Sequence, residues 1–209
     1  MDNLIEYRKS DEEIWIEEFE DWVPQRIYDS HIHMINNALI EESSLHKNRF
    51  PDTPLNTINK WHKTVFPNRD VNSLILGKPL IGTDINAHNE FIHKEIKNNN
   101  LLRAHRLTTP KDKLEQIEKD IKEKGFQGLK VYRYFSSNGD INECNIDDYL
   151  THEQMELAND MGLWITLHMA KQDGCNDKEN LKNLTEYTTK RYPKIKWILA
   201  HVGRSFTYR

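Results

Sequence analysis

Six short apolar runs alternate with helical segments, and this alternation is the sequence feature that most limits what the chain can fold into. The runs, which we predict to be strands, cover residues 26–33, 72–77, 101–107, 128–135, 163–168 and 196–201. The predicted helices between them cover residues 86–99, 110–125, 151–162 and 177–193. Strands that alternate with helices form βαβ units around a parallel sheet. The sequence therefore predicts an α/β fold.

Local signals support several helix ends. Gly125 lies where a C-cap glycine belongs, and Thr151 with Gln154 matches a capping box. The same pattern at Ser10 and Glu13 predicts an amphipathic helix over residues 10–23, with apolar residues that dock on the body of the protein. We therefore divide the chain into an N-terminal helical extension, residues 1–25, and a main domain, residues 26–209.

The number of strands leaves two architectures open. A (β/α)8 barrel typically takes about 250 residues, whereas this chain has 209 and ends soon after its sixth predicted strand. The fold is either an open six-stranded sheet or a barrel that lacks its last two units. Residues 34–71 carry no clear helical pattern, and we expect them to form an irregular, lid-like segment over the sheet.

Composition excludes several classes of function. The net charge is −4 and no basic stripe is present, so nucleic acid is not an expected partner. The sequence shows neither a signal peptide nor an apolar run long enough to cross a membrane, so we expect a cytoplasmic protein without membrane contact. Cys144 and Cys175 lack metal-type spacing and a neighbouring base, so a cysteine nucleophile is not expected.

Histidines fall at the carboxyl ends of three predicted strands. His31 and His33 are two residues apart and would project to the same side of an extended chain. His168 and His201 end the fifth and sixth predicted strands. Because the carboxyl ends of parallel strands meet at one rim, these four imidazoles are expected to converge there. Neutral imidazole is a good ligand for divalent transition metals, so the sequence predicts a metal site.

Strand alternation indicates which neighbours share that rim. Lys130 and Tyr132 lie on one face of the fourth strand, and Thr166 and His168 lie on one face of the fifth. The same rule pairs His201 with Leu199. We expect the polar side chains to point into the barrel mouth and their apolar neighbours to pack against the outer helices.

Four stretches resemble the amidohydrolase superfamily, in particular its amidohydrolase 2 branch. They occur in the family's order between about residues 20 and 207, and they read VPQRIYDSHIHM, GFQGLKVYRYF, GLWITLHMAK and DKENLKNLTEYTTKRYPKIKWILAHVGRSF. Members of this branch are metal-dependent enzymes with a (β/α)8 barrel. The resemblance therefore implies a TIM-barrel type fold, truncated after the sixth strand, with residues 26–209 as a partial hydrolase domain.

The resemblance also implies roles for individual residues. His31, His33 and His168 correspond to metal ligands, with zinc as first choice for the divalent ion and manganese or iron as alternatives. His201 corresponds to a catalytic histidine that faces the substrate or the metal-bound water. Lys130 occupies a position where some members carry a carbamylated lysine, and we interpret it as a catalytic positive group near the substrate. The family's eighth-strand aspartate has no counterpart in this sequence.

Other polar residues at strand ends are candidates for the rim. Tyr132, Arg133 and Arg204 are predicted to bind an anionic substrate, since a guanidinium group matches a carboxylate. His105 and Arg106 end the third strand, and a structural role is preferred for them. The remaining five histidines are predicted to be solvated surface residues: His46, His62, His88, His93 and His152.

The expected function follows from the resemblance and the predicted metal site. We expect a hydrolase that cleaves a small, carboxylated amide, lactone or ester through a metal-activated water. A non-oxidative decarboxylase or a hydratase of the same superfamily is the alternative. A third reading is an inactive barrel fragment, whose exposed sheet edges a homo-oligomer could cover.

Overall fold

Six parallel strands form one curled sheet, a half-barrel, in this computed structural model, which describes residues 6–204. The strands lie side by side in the order of the sequence. They are β1 (Arg26–Met34), β2 (Asp70–Gly77), β3 (Arg103–Leu107), β4 (Gly128–Tyr132), β5 (Trp164–His168) and β6 (Lys196–Leu199). The α/β class and the parallel sheet are confirmed, while a TIM-barrel type truncated after its sixth strand stays an expectation.

Seven α-helices accompany the strands among the described residues. They are α1 (Lys9–Ile14), α2 (Leu55–Val65), α3 (Ile85–Ile96), α4 (Leu114–Lys124), α5 (Ile146–Tyr149), α6 (His152–Met161) and α7 (Lys178–Glu186). The left-handed conformation of Gly125, with φ of 74°, confirms the predicted end of α4. The predicted capping box of Thr151 and Gln154 is also present at the start of α6. Within residues 6–204, no helix has both the length and the apolarity that crossing a lipid bilayer requires.

The apolar sides of the central strands face the helices. Leu129 and Val131 on β4, with Ile165 and Leu167 on β5, are fully buried in the main core together with residues of α4 and α6. Burying such side chains contributes roughly 1.5–3 kcal/mol each. Because side chains alternate along a strand, Lys130, Thr166 and His168 lie on the opposite face. The predicted division of apolar and polar faces is therefore confirmed for β4 and β5.

The segment between β1 and β2 is more regular than its sequence indicates. The prediction of an irregular lid over residues 34–71 is wrong for its second half, where α2 packs Ile58 against Met34 and Ile75 in a second core cluster. Leu55, Ile58, His62 and Val65 recur at helical spacing along α2, so the pattern was present in the sequence and the prediction overlooked it. Each of the five connections between strands therefore contains a helix.

The N-terminal helix also differs from its prediction. It begins at Lys9, because the Asp11 carboxylate accepts a hydrogen bond from the Arg8 backbone N–H at 2.8 Å, and the proposed Ser10 capping box is wrong. After Ile14 the backbone widens into a π-helical turn. Trp15 is buried against Phe66, whereas Ile14, Ile16, Phe19 and Trp22 are exposed.

Candidate metal centre

An irregularity in β1 positions the two closely spaced histidines. The pairing of β1 with β2 shifts register between Asp29 and Ile32. Asp29 holds this turn of backbone, since its Oδ1 accepts a hydrogen bond from the His31 backbone N–H at 3.0 Å. Its Oδ2 lies 3.2 Å from Nε2 of His62 on α2, and this hydrogen bond lowers the pKa of the Asp29 carboxyl. The charged Asp29 carboxylate therefore fixes the backbone at His31 through this hydrogen bond.

The four predicted histidines lie in one chain of contacts. The Nε2 atoms of His31 and His33 are 3.3 Å apart. The His31 ring centroid is 5.1 Å from that of His201, which is in turn 5.3 Å from that of His168. In their present positions, no three His, Cys, Asp or Glu side chains of residues 6–204 form a set that could hold a metal ion. The structure thus shows one close pair with two further imidazoles beside it, and metal ligation stays a prediction.

The backbone conformation that brings His201 to the cluster differs from the predicted strand. β6 ends at Leu199, and Leu199 packs against the main core on the helix side of the sheet. Continued strand alternation would have turned His201 to that same side. Instead, His201, Val202 and Gly203 have φ values of 55°, 52° and 62°. This left-handed turn, and not the pleat, brings the His201 ring to the other histidines.

The environment of the cluster favours uncharged imidazoles. Burial, reinforced by the nearby Lys130 ammonium, lowers the pKa of His31 to about 4 and that of His168 to about 3. The same two causes lower the pKa of His201, and they lower the pKa of His33 well below 6.5. All four side chains are therefore neutral near pH 7, and neutral imidazole is the form that binds metal ions.

Lys130 lies on β4 in the middle of this polar face. It is only 1% exposed and pairs in register with Leu107 on β3 and Thr166 on β5. Burial, with a smaller contribution from Lys78, lowers the pKa of the Lys130 amine to about 7. Its Nζ lies 5.7 Å from the centroid of the Tyr132 ring. The Lys130 amine can therefore be either charged or neutral near pH 7. It is close enough to the imidazoles for its charge to lower their pKa values.

A small cavity of about 200 Å³ opens beside the histidines. Its walls combine three of the four imidazoles with cationic and aromatic side chains: His33, His46, Arg49, Phe50, Lys78, Pro79, Leu80, Tyr132, Tyr134, His168 and His201. No carboxylate is among these lining residues. Arg49 and Lys78 therefore make the cavity suited to a small anion.

Sequence reasoning missed these two cations. Lys78 directly follows the last residue of β2, so its place at the carboxyl end of a strand could have pointed to it. Its Nζ lies 4.8 Å from the centroid of the Phe50 ring, and burial lowers its pKa. Arg49 comes from the irregular first half of the β1–β2 connection, where no periodic pattern identifies which side chains face inward.

The predicted substrate-binding residues have different surroundings. Tyr132 lines the cavity, with its ring centroid 4.3 Å from that of His168. Arg133 donates hydrogen bonds to the Ile141 carbonyl and, at 2.7 Å, to Oδ1 of Asn142. Arg204 donates to the carbonyls of Met169 and Lys171, and its charge contributes to the lowered pKa of His168. Neither arginine is among the lining residues, so substrate binding by them stays a prediction.

Three histidines predicted to be solvated are buried instead. Nδ1 of His46 accepts a hydrogen bond from the Ile81 backbone N–H at 2.9 Å, and His62 pairs with Asp29. His88 is 2% exposed on the inner side of α3, next to Gly77. The prediction treated histidines outside the strands as surface residues by default, although His62 and His88 share helix faces with Ile58 and Ile92.

His105 and Arg106 are buried and contact other protein side chains, and the structural role preferred for them stays a prediction. Nδ1 of His105 lies 2.9 Å from Oγ1 of Thr166, inside the curled sheet. Arg106 points to the helix side, where its guanidinium contacts Asp112 and Asp120.

Comparison with known proteins identified no relative of this chain. No protein family model matches the chain, and neither a curated protein nor a solved structure matches it. The candidate site therefore depends on the geometry and electrostatics of this chain's own residues.

Proposed function

We propose that the protein is a metal-dependent hydrolase that cleaves a small, carboxylated amide, lactone or ester through a metal-activated water. The observation that carries this proposal is the 3.3 Å separation of the Nε2 atoms of His31 and His33. Two nitrogens bound at about 2.0–2.1 Å to one tetrahedral zinc ion lie about 3.3 Å apart. Two neutral imidazoles at this spacing match two ligand positions of a divalent ion, and a third ligand would come from the neighbouring histidines after a shift of their side chains.

The residues that would hold the ion are His31, His33 and His168. When bound, such an ion lowers the pKa of a coordinated water toward about 7 and polarises a carbonyl group. His201, next to His31, is placed to hydrogen-bond a water or a substrate oxygen at the same position. The Lys130 ammonium would stabilise negative charge that develops on the carbonyl oxygen.

The cavity supports a carboxylated substrate. Arg49 and Lys78 supply positive charge in its walls, and the rings of Phe50, Tyr132 and Tyr134 supply flat apolar surface. A volume of about 200 Å³ limits the enclosed part of a ligand to a small molecule. Binding a carboxylate at the cations would place its neighbouring bond near the imidazoles.

The same cavity favours a non-oxidative decarboxylase as the second candidate. A carboxylate held between cations, against aromatic walls and beside the candidate metal ligands, is also what decarboxylation of a small aromatic acid requires. The two reactions differ in their products. A panel of small carboxylated amides, lactones, esters and aromatic acids, assayed both for hydrolysis products and for released CO₂, separates them. Turnover of none of these compounds by metal-loaded protein would favour an inactive fragment.

Metal analysis tests the site itself. Protein loaded in turn with zinc, manganese or iron(II) and then dialysed is expected to retain about one ion per chain. His31→Ala and His33→Ala should each retain less than about a tenth of that amount, because each removes one of the two closest ligands. The measurement is elemental analysis of the purified proteins.

His93→Ala provides the matched control for these variants. His93 lies on α3, with its Nδ1 3.1 Å from the Lys124 carbonyl, and it lines neither the cluster nor the cavity. It should retain the wild-type amount of metal. Equal retention by wild type and both β1 variants would contradict the proposed site, and so would wild-type protein without metal after loading.

The anchoring role of Asp29 gives a second prediction. Asp29→Ala removes the acceptor of the His31 backbone N–H and the partner of His62. Loss of such a supporting carboxylate is expected to weaken metal binding by about 10- to 100-fold. A zinc titration against a competing chelator measures this affinity. Asp70→Ala, an exposed change at the start of β2, should leave the affinity unchanged, and an equal loss in both variants would contradict the role of Asp29.

A further inference from the structure

An apolar groove lies along the N-terminal segment, whose sequence is rich in carboxylates. Its volume is about 570 Å³, and its walls come from the first helix, the π-helical turn and the end of α2: Tyr7, Asp11, Ile14, Trp15, Phe19, Trp22, Val23, Val65 and Phe66. Ile14 and Trp22 are 49% and 68% exposed. Residues 11–21 contain seven carboxylates and no Lys or Arg. We call this surface the acidic groove.

A basic surface with an exposed leucine lies along α7. A shallow depression of about 420 Å³ there is lined by Lys178, Leu181, Lys182, Thr185, Glu186 and Lys190. Leu181 is 54% exposed. Residues 178–196 contain six Lys or Arg and two Glu. We call this surface the basic face.

The two surfaces lie at opposite edges of the sheet. The acidic groove belongs to the segment that leads into β1, and the basic face belongs to the helix that leads into β6. β1 and β6 are the two outermost strands of the described sheet. One copy therefore presents the acidic groove at one edge and the basic face at the other.

We propose that the acidic groove of one copy binds the basic face of a second copy, so that the chain associates head to tail. Leu181 would enter the groove beside Ile14 and Trp22, which removes exposed apolar surface from water on both sides. The lysines around Leu181 would meet the carboxylates around the groove. Such a contact joins two different surfaces, so it builds rings or open chains and not a symmetric pair.

The oligomeric state of the purified protein tests this proposal. Sedimentation velocity over a concentration series is expected to show reversible association that weakens as salt is raised, because the charges are solvent-exposed. Leu181→Glu places a carboxylate against the acidic groove, and Ile14→Arg places a cation against the basic face. Each should weaken association about tenfold or more. Leu101→Glu, an equally exposed leucine outside both surfaces, should behave as wild type.

Mixing the two variants distinguishes a head-to-tail contact from a symmetric one. Leu181→Glu keeps an intact acidic groove and Ile14→Arg keeps an intact basic face, so an equimolar mixture should form a heterodimer at concentrations at which each variant alone stays monomeric. Circular dichroism confirms that each variant is folded. A monomeric wild type at low salt, or a mixture that stays monomeric, would overturn the proposal. A wild type that stays monomeric and binds an added basic amphipathic peptide would assign the groove to another partner.

Discussion

Acidification is expected to unfold the metal-free protein between roughly pH 5 and pH 4. The reason lies in buried imidazoles outside the four-histidine cluster as much as in those within it. His88 and His105 are each 2% exposed, and burial lowers their pKa values from 6.5 to about 4 and about 3. In the folded protein these rings remain neutral over a pH range in which the unfolded chain binds protons.

The direction of the effect follows from proton binding. Between pH 6.5 and about 4 the unfolded state carries more protons on these two histidines than the folded state, so stability falls as the pH falls. Each pH unit contributes about 1.4 kcal/mol for each group, which gives about 5 kcal/mol for both by pH 4.5. The lowered pKa of Asp29 acts in the same direction. A loss of this size approaches the whole stability of many domains.

Urea unfolding at a series of pH values, in the presence of a chelator, measures this dependence. His88→Leu removes one titrating ring and should flatten the pH dependence of the unfolding free energy between pH 6.5 and 4. Phe91→Leu is the control, because Phe91 packs 5.9 Å from His88 between ring centroids and cannot titrate. It should keep the wild-type pH dependence. A wild-type protein whose stability is constant down to pH 4 would contradict the argument.

The sequence predicts the strands and most helices because their patterns are local. The runs at 26–33 and 163–168 match β1 and β5 closely, since alternating or continuous apolar residues directly reflect burial. α2 was missed although Leu55, Ile58, His62 and Val65 recur at helical spacing, because the proline-containing stretches on both sides of it were taken as signs of one irregular segment. The start of the N-terminal helix was misplaced because two capping patterns overlap there, and the Arg8–Asp11 contact prevails over Ser10.

The sequence predicted which residues form the candidate site better than it predicted how the backbone brings them together. Counting from strand ends found the four histidines, because a parallel sheet brings those ends together. Strand alternation and the family resemblance pointed to Lys130. The sequence did not show that a register shift in β1 and a left-handed turn at His201 position the rings. It also gave no sign of the Asp29–His62 pair, whose partners are 33 residues apart. Such features depend on tertiary contacts that no local pattern encodes.

A buried ion network holds the end of β3 beside the candidate site. Arg106 is fully buried, and its Nε and Nη1 donate to Oδ2 of Asp120 at 2.8 Å and Oδ2 of Asp112 at 2.6 Å. Burial alone would raise the pKa of Asp120, but hydrogen bonds from Arg106 and Lys124 lower it. Two residues further along, the Thr108 backbone N–H donates to the Lys130 carbonyl at 2.9 Å. The network therefore connects the outer helix α4 to the strand that carries Lys130.

Arg106→Met is expected to destabilise the protein by about 3–5 kcal/mol, because it leaves the Asp112 and Asp120 carboxylates without their buried partner. Lys124→Met removes a more exposed contact with Asp120 and should cost about 1 kcal/mol or less. Urea unfolding at pH 7 measures both. The triple variant Arg106→Met, Asp112→Asn, Asp120→Asn should recover part of the loss, since it buries no unpaired charge. A loss below about 1 kcal/mol in Arg106→Met would show that solvent reaches the carboxylates, and the network would then not hold β3 in place.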